Sequence, residues 1–431
     1  NKNNYISRLL MSKKIQAIRG MNDLLPADSQ IWSFLDSTIN NLLLSYGYKY
    51  CRTPNVESTE TFSRAIGEVT DIVEKEMYTW KDNNGDSLTL RPEGTAGVVR
   101  MMIEHNLPRE GIQKVFYSGP MFRHERPQKG RYRQFHQVGA EVFGASDAKI
   151  DAELISITDI LWKSLKINAQ LEINSLGSTA SRAQYRETLT RYFNDNKDRL
   201  DEDSSRRLKT NPLRILDSKN KDLEALISEA PKMIDHLDKE SNEHFEALKN
   251  YLEHLDIPYT VNPKLVRGLD YYNQTVFEWV SDELGSQGTI CGGGRYDGLV
   301  EKMGGNPTPA IGFAMGLERI ALLIQDKSKE LISDRPHLYF LSMGESAHCE
   351  SMKLSRQILE AMPNITITND ITMGNLKSQM KKANKSGADY AMILGEEELA
   401  KNVLSFKPLK GQGVQQSIEL EGIIQHLQEI L

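Results

Sequence analysis

Three observations predict an α+β fold spread over more than one domain. The chain has 431 residues, beyond the ~100–200 of a typical single domain. Up to about residue 325, short β-type runs bounded by turn residues are interleaved with apolar stripes at helical spacing. Past a polar stretch, strand-like and helix-like segments alternate on their own in the last hundred residues or so.

The elements follow in order. Ile31, Leu35, Ile39 and Leu42 recur at helical spacing beside Phe34; Asp28 or Ser29 can cap the start and Gly47 can end the helix. A strand at 88–90 runs into Arg91-Pro92-Glu93-Gly94-Thr95, and a helix is expected from there to about His105. Runs at 114–117 and 135–143 flank the charged segment 123–133 and predict an antiparallel hairpin with a long loop. Leu154, Ile157, Leu161 and Leu165 mark a further helix, followed by a strand at 171–173. Residues 178–255 are rich in charge and poor in aromatics, and predict a helical insertion. Strands are expected again at 259–261 and 275–280, another just before the glycine run at 292–294, and a buried helix over 314–324. In the last domain, strands at 338–341, 365–368, 390–394 and 403–406 alternate with helices at 345–361, 374–386 and 417–430.

Composition narrows the class of function. With 53 Lys and Arg against 59 Asp and Glu, the net charge is −6, which argues against a generally basic nucleic-acid coat. No apolar run approaches the ~18–20 residues of a membrane span; the best, 311–324, is interrupted by Glu318 and Arg319. Three widely spaced cysteines, Cys51, Cys291 and Cys349, form no C-x-x-C pair, so neither a disulfide framework nor a structural metal site is predicted. A cytoplasmic protein is expected. Residues 1–10 show no signal-peptide pattern and are read as a non-native or disordered extension before a start at Met11.

Against that acidic background, Arg123-His124-Glu125-Arg126-Pro127-Gln128-Lys129-Gly130-Arg131-Tyr132-Arg133 carries five Lys/Arg and one Glu. Such a cluster suits a solvated loop, and equally a polyanion site, because guanidinium forks match phosphate oxygens in pairs. Glu93 after Pro92 also suits a helix start. Tyr271 and Tyr272 are ordinary strand formers, and the glycines 292–294 could serve a bend or a close backbone approach.

Taken jointly, these blocks resemble the signature motifs of class II aminoacyl-tRNA synthetases. Tyr46-Gly47-Tyr48 through Pro54 and Glu57 resembles the first motif, Phe122-Arg123-His124-Glu125 with Phe135 the second, and Gly312-Phe313-Ala314-Met315-Gly316-Leu317-Glu318-Arg319 the third. Leu265-Val266-Arg267-Gly268-Leu269-Asp270-Tyr271-Tyr272 and Gly293-Gly294-Arg295-Tyr296-Asp297-Gly298-Leu299 are similar to the histidine-specific blocks of the histidyl-tRNA synthetase family. Ile15-Gln16-Ala17-Ile18-Arg19-Gly20-Met21-Asn22-Asp23 resembles its amino-terminal segment.

The resemblance implies a class II antiparallel-sheet catalytic core (11–177 and 256–325), the helical insertion (178–255), a linker (326–335) and a C-terminal α/β anticodon-binding domain (336–431). It implies activation of L-histidine by ATP with Mg²⁺, transfer to tRNA(His), and a homodimer built through the first motif. Arg123 and Arg267 are the implied catalytic residues, both also touching histidine; Arg267 is thought to stand where relatives place a metal. Glu93, Gly94, Thr95 and Gln137 would hold the amino acid's α-amino end, and Glu141, Tyr271, Tyr272 and Tyr296 its ring. Glu125, Phe135 and Arg319 join Arg123 at ATP, and Gln128, Lys129 and Arg131 would meet the tRNA acceptor end. Lys377, Lys381 and Lys385, with Lys382 beside them, form a basic stripe in the last domain, either a solubilising face or an RNA contact. The alternative from another class is a non-catalytic histidine-binding regulatory paralogue of a biosynthetic complex.

Overall fold

The computed structural model describes residues 15–431 apart from 68, 69, 71, 217, 219, 270, 333–335, 373 and 412. The expected extension at 1–10, the start at Met11, part of the linker and Asp270 lie outside the described residues. Two compact units result, one ending at Ile332 and one beginning at Ser333.

In chain order the strands of the first unit are β1 (Lys49–Tyr50), β2 (Val56–Ser58), β3 (Tyr78–Lys81), β4 (Ser87–Leu90), β5 (Gln113–Phe122), β6 (Gln134–Phe143), β7 (Gln170–Ser175), β8 (Tyr259–Val261), β9 (Asn273–Val280), β10 (Thr289–Arg295) and β11 (Ala310–Gly316). Among the described residues, eight of them form one sheet in the order β1-β5-β6-β11-β10-β9-β7-β8, and β2, β4 and β3 form a second. The centre of the large sheet, β5 through β7, is antiparallel throughout, and only β1 and β8 pair parallel to their neighbours.

The two faces of this sheet differ sharply, and the difference is written in period-two alternation. Ile311, Phe313 and Met315 of β11, with Val138, Ala140 and Val142 of β6 and Phe277 and Trp279 of β9, share one apolar core. That core is completed by Leu35, Ile39 and Leu43 of helix Ser29–Ser45, Leu154, Ile157 and Leu161 of helix Ala148–Ser164, and Phe245, Leu248 and Leu252 of helix Lys239–His254. Burying each of these large side chains is worth about 1.5–3 kcal/mol, which anchors the sheet to its helices. The intervening residues, Gln137, Gly139 and Glu141 on β6 and Gly312, Ala314 and Gly316 on β11, are small or polar and floor the opposite face. One face is a core, and the other is a platform.

Two expectations are corrected here. The helix expected over 314–324 is the end of β11 followed by helix Leu317–Ile324; the alternation of small with large residues through Gly316 favours a strand over a helical stripe. The glycine run does not follow a strand but lies inside β10. Between Ser175 and β8 the chain forms a series of helices, including Thr179–Asp195, Glu202–Thr210 and Lys239–His254, with its own core around Tyr185, Leu189, Phe193, Leu213 and Leu226.

In the second unit, β12 (Leu338–Ser342), β13 (Ile367–Asn369), β14 (Tyr390–Leu394), β15 (Val403–Pro408) and β16 (Gln416–Glu419) form a mixed sheet in the order β13-β12-β14-β15-β16. Separate apolar clusters cover its two faces, one around Phe340, Leu354 and Leu427 and one around Leu341, Ala383 and Ile393. The helix expected over 417–430 is corrected to β16 and helix Ile423–Ile430, because Ser417 and Ile418 pair with β15 before the helix begins. Lys377, Lys381 and Lys385 are exposed along helix Leu376–Ser386, while Lys382 turns back toward Asp370 and Thr372.

Candidate active site

On the platform face lies a cleft of about 250 Å³ lined by Arg123, Glu125, Arg131, Phe135, Gln137, Arg267 and Arg319, among others. Long-range folding builds it: Arg123 stands just past β5, Phe135 and Gln137 are on β6, Arg267 precedes β9, and Arg319 is on the helix after β11. Burial lowers the pKa of Arg123, Arg131 and Arg319, and for Arg319 the neighbouring Arg131 and Arg123 add to the effect. Mutually repelling guanidiniums held together by the fold make a site that gains when a polyanion enters.

Each guanidinium is fixed. Arg123 donates from Nε to the Pro92 carbonyl at 2.8 Å and lies over the Phe135 ring at 5.3 Å. Arg319 donates to the Thr289 carbonyl at 2.5 Å. Arg131 turns its side chain inward to an ion pair with Glu125, whereas Gln128 and Lys129 stay exposed at the hairpin tip. That tip closes through reciprocal backbone hydrogen bonds between Gln128 and Arg131, of 2.9 and 3.0 Å, with Gly130 at φ +72°. Arg267 pairs with Glu278 and lies over the Tyr272 ring at 5.4 Å. Burial alone would lower its pKa, but the Glu278 carboxylate and Tyr272 outweigh this and hold it above the usual arginine value.

Deeper in, Glu141 is 1% exposed and accepts hydrogen bonds from Thr95 Oγ1 at 2.8 Å, Tyr117 Oη at 3.3 Å and Tyr296 Oη at 2.5 Å. Burial dominates these donors and pushes its carboxyl up to about 8. The rings of Tyr271, Tyr272 and Tyr296 pack against one another, with centroids 4.7 to 6.5 Å apart. Glu93, also buried, accepts the N–H groups of Thr95 and Ala96 at 2.7 and 2.8 Å. It therefore caps helix Thr95–Glu104, and burial raises its pKa despite those two donors. Gln137 Oε1 is buried and has no hydrogen-bond partner among the described residues, so it is an acceptor awaiting a donor.

Two glycines make room for the charges. Gly312 lies opposite Glu141 across the β6–β11 ladder, and a Cβ there would overlap the Glu141 carboxylate. Gly292 lies opposite Glu278 across β9–β10, and a Cβ there would crowd the Arg267 guanidinium.

The fold thus brings Arg123, Glu125, Arg131, Phe135, Gln137, Arg267 and Arg319 together around the cleft, joins Glu93, Gly94, Thr95, Glu141, Tyr271, Tyr272 and Tyr296 in a buried network that adjoins it where Arg267 lies over Tyr272, and leaves Gln128 and Lys129 exposed. Sequence reasoning missed Tyr117, Glu278 and Glu318. Glu278 has a visible signal, an acid within the apolar stretch 276–280, and so has Glu318, an acid in the apolar run 311–324. Glu318 holds the backbone N–H of His136 at 2.9 Å and its ring Nδ1 at 3.0 Å. Tyr117 sits among buried apolar residues of β5 and carries no such signal.

Cys291 lines the cleft but is 1% exposed, and burial drives its thiol pKa up, so the nucleophilic thiolate is suppressed. Cys51 is raised to about 12 for the same reason, while Cys349 is exposed. Alkylation of the native protein at pH 8 should therefore modify Cys349 first. Peptide mass spectrometry checks this, and early modification of Cys291 would contradict the assignment.

A family model described as histidyl-tRNA synthetase matches residues 20–320, and one described as anticodon binding domain matches residues 338–430. The histidine–tRNA ligase of Ruthia magnifica subsp. Calyptogena magnifica is 62% identical over 420 residues, spanning 97% of this chain and 100% of that protein. That of Vesicomyosocius okutanii subsp. Calyptogena okutanii is 58% identical over 422 residues, with 97% and 100% spanned. The crystal structure of apo S. aureus histidyl-tRNA synthetase superposes with a TM-score of 0.78 at 36% identity, covering 96% of this chain and 99% of that one.

Proposed function

The chain belongs to the histidyl-tRNA synthetase family, and from that premise we propose that the cleft joins L-histidine to ATP as histidyl-adenylate, releasing pyrophosphate. It then passes the histidyl group to the 3′-terminal adenosine of tRNA(His), releasing AMP. The observation that carries this reading is the adjacency of two unlike groups: a cleft crowded with guanidiniums, and a buried cluster of tyrosine rings around the carboxyl of Glu141, which lies among three hydroxyls.

Activation brings a carboxylate onto the α-phosphorus, concentrating negative charge that spreads over a five-coordinate phosphorus. Fixed cations aimed at that charge are what the step demands, since they need little reorganisation as it develops. Arg123 and Arg267 serve that role, and Arg319 and Phe135 frame the adenine. The attacking carboxylate is already ionised at neutral pH, so no general base is needed. Glu141 and the tyrosine hydroxyls engage the imidazole nitrogens, which need one donor and one acceptor. Gln137 Oε1 and Glu93 accept from the α-ammonium. For Mg²⁺ entering with ATP, the cleft lining offers the carboxylate oxygens of Glu125, with Glu278 next to it against Arg267, the hard donors that ion prefers; bound there it would screen the polyphosphate charge. Both now face arginines that phosphate oxygens can claim.

The tRNA acceptor end is assigned to the exposed Gln128 and Lys129 with the adjoining Arg131, and the last domain with its lysine stripe to the anticodon arm. A homodimer is supported by β1, an edge strand that carries exposed Tyr50 next to a helix bearing exposed Leu44. Among the described residues no helix is long and apolar enough to cross a membrane; the cytoplasm as the place of work is part of the proposal and rests on the family. The regulatory reading loses ground because Arg123, Arg267 and Arg319 all converge on the cleft.

Histidine-dependent ATP–pyrophosphate exchange, run beside glycine, proline and threonine without tRNA, tests the proposal. Exchange with histidine alone is expected, and none despite histidine binding would favour the regulatory reading.

A further inference from the structure

Arg267 and Tyr272 sit on a segment, 263–272, whose described residues contribute no strand to the sheet. Part of what holds this segment in place comes from the helical insertion. Arg214 donates from Nη2 to the Gly268 carbonyl at 2.7 Å, immediately after Arg267. Arg182, on helix Thr179–Asp195, donates from Nη1 to the Tyr272 carbonyl, also at 2.7 Å. Lys264 Nζ donates to Ser228 Oγ of the insertion at 2.9 Å. Val266 packs against both the histidine-pocket cluster and the insertion's own core. From the sheet, Asn174 Nδ2 adds a bond to the Leu265 carbonyl at 3.0 Å.

These contacts are specific in kind. Both arginines address backbone carbonyls, which fix where the chain runs whatever the side chains do. They grip the chain immediately after Arg267, assigned to the reacting phosphate, and at Tyr272, assigned to the histidine ring. Neither arginine lines the cleft. The grip therefore acts on substrate only through the segment it holds.

We infer that Arg182 and Arg214 are positioning residues for histidine activation: the insertion seats the 263–272 segment, and a displacement of the insertion would be felt at Arg267 and Tyr272. This rests on the functional reading above and adds to it a physical link between the helical insertion and the chemical centre.

The test uses the full chain with Arg182→Ala, Arg214→Ala and the double variant, beside Tyr192→Phe as control. Tyr192 Oη bonds the Leu226 carbonyl, within the insertion. Amide hydrogen exchange over 264–269 without ligand reads the seat directly, and should quicken in the double variant but not in Tyr192→Phe. In pyrophosphate exchange, each single variant should lose about tenfold in turnover, the scale of one hydrogen bond from a charged donor. The KM for ATP should stay within about twofold and the double variant should lose less than the product of the singles, because both act on one segment. Arg214→Lys, which keeps a cationic donor, should recover part of the rate. Unchanged amide exchange in the double variant, or turnover reduced equally by Tyr192→Phe, overturns the inference. A parent protein without histidine-dependent exchange sinks the functional reading instead, and the amide measurement still decides the seat.

Discussion

Replacing Arg267 by His should slow histidine-dependent pyrophosphate exchange by about 10²–10³-fold, the scale of losing one preorganised group at developing charge, while leaving ATP affinity within about threefold. The asymmetry follows from where the guanidinium stands. It is neutralised by Glu278 and supported by the Tyr272 ring, so ground-state binding of ATP gains little from it. As the phosphorus becomes five-coordinate, phosphate oxygens compete better for that cation, and the interaction belongs chiefly to the transition state. The same substitution strands Glu278, whose side chain is 18% exposed, and lowers thermal stability. Adding Glu278→Gln should restore much of the stability and none of the rate. Equal losses in ATP affinity and turnover would sink the assignment, and so would recovery of rate in the double variant.

The second large effect is expected at Glu141. Glu141→Gln should cut kcat/KM for histidine by about 10³-fold or more, because a buried site built to hydrogen-bond a ring tolerates a mispaired group poorly. An amide presents two donors where the three surrounding hydroxyls already donate, so the pocket is left with unmatched groups. Loss confined to turnover, with histidine KM unchanged, would contradict a recognition role. Stability should move the other way at high pH. The Glu141 carboxyl rises from a usual 4.5 to about 8 through burial. Between those values the folded chain keeps a proton that the unfolded chain has released, so this group's contribution to stability falls as pH rises through that window. Glutamine cannot ionise. The variant should therefore gain on the parent between thermal melts at pH 5 and pH 9, and an unchanged difference would refute the buried-acid account.

Much of the platform that carries the candidate site was legible in the sequence because its ingredients are local. Arg123 and Arg131 announce themselves by positive charge against an acidic chain, and β5 and β6 by β-type runs flanking a polar loop. What stayed hidden depends on pairing between distant segments. Gly312 reads as one more small residue of the apolar run 311–324 until β6 is known to lie beside it and Glu141 to need the space. Tyr117 looks like any strand aromatic until its hydroxyl is found on a carboxylate 24 positions away. Arg131 sits next to exposed residues in the chain, and only the closed turn at Gly130 explains its inward path. The strands β1, β2 and β3 span only two to four residues each, too few for periodicity to register.

The glycines opposite Glu141 and Glu278 bear on folding fidelity as well as on substrate. A one-residue slip of β11 against β6 would set Phe313 or Ile311 in the place of Gly312 and turn the whole apolar row of β11 toward water. A slip of β10 against β9 that brought Cys291 to the position of Gly292 would likewise set a side chain against the Arg267 guanidinium. Misaligned sheets are thus rejected twice, by exposed hydrophobic surface and by a steric collision at a charge. The gaps that admit the reacting groups also act as alignment marks for the chain as it folds, so substitutions at 292 or 312 should raise the yield of trapped, mispaired species during refolding even where they spare the final fold.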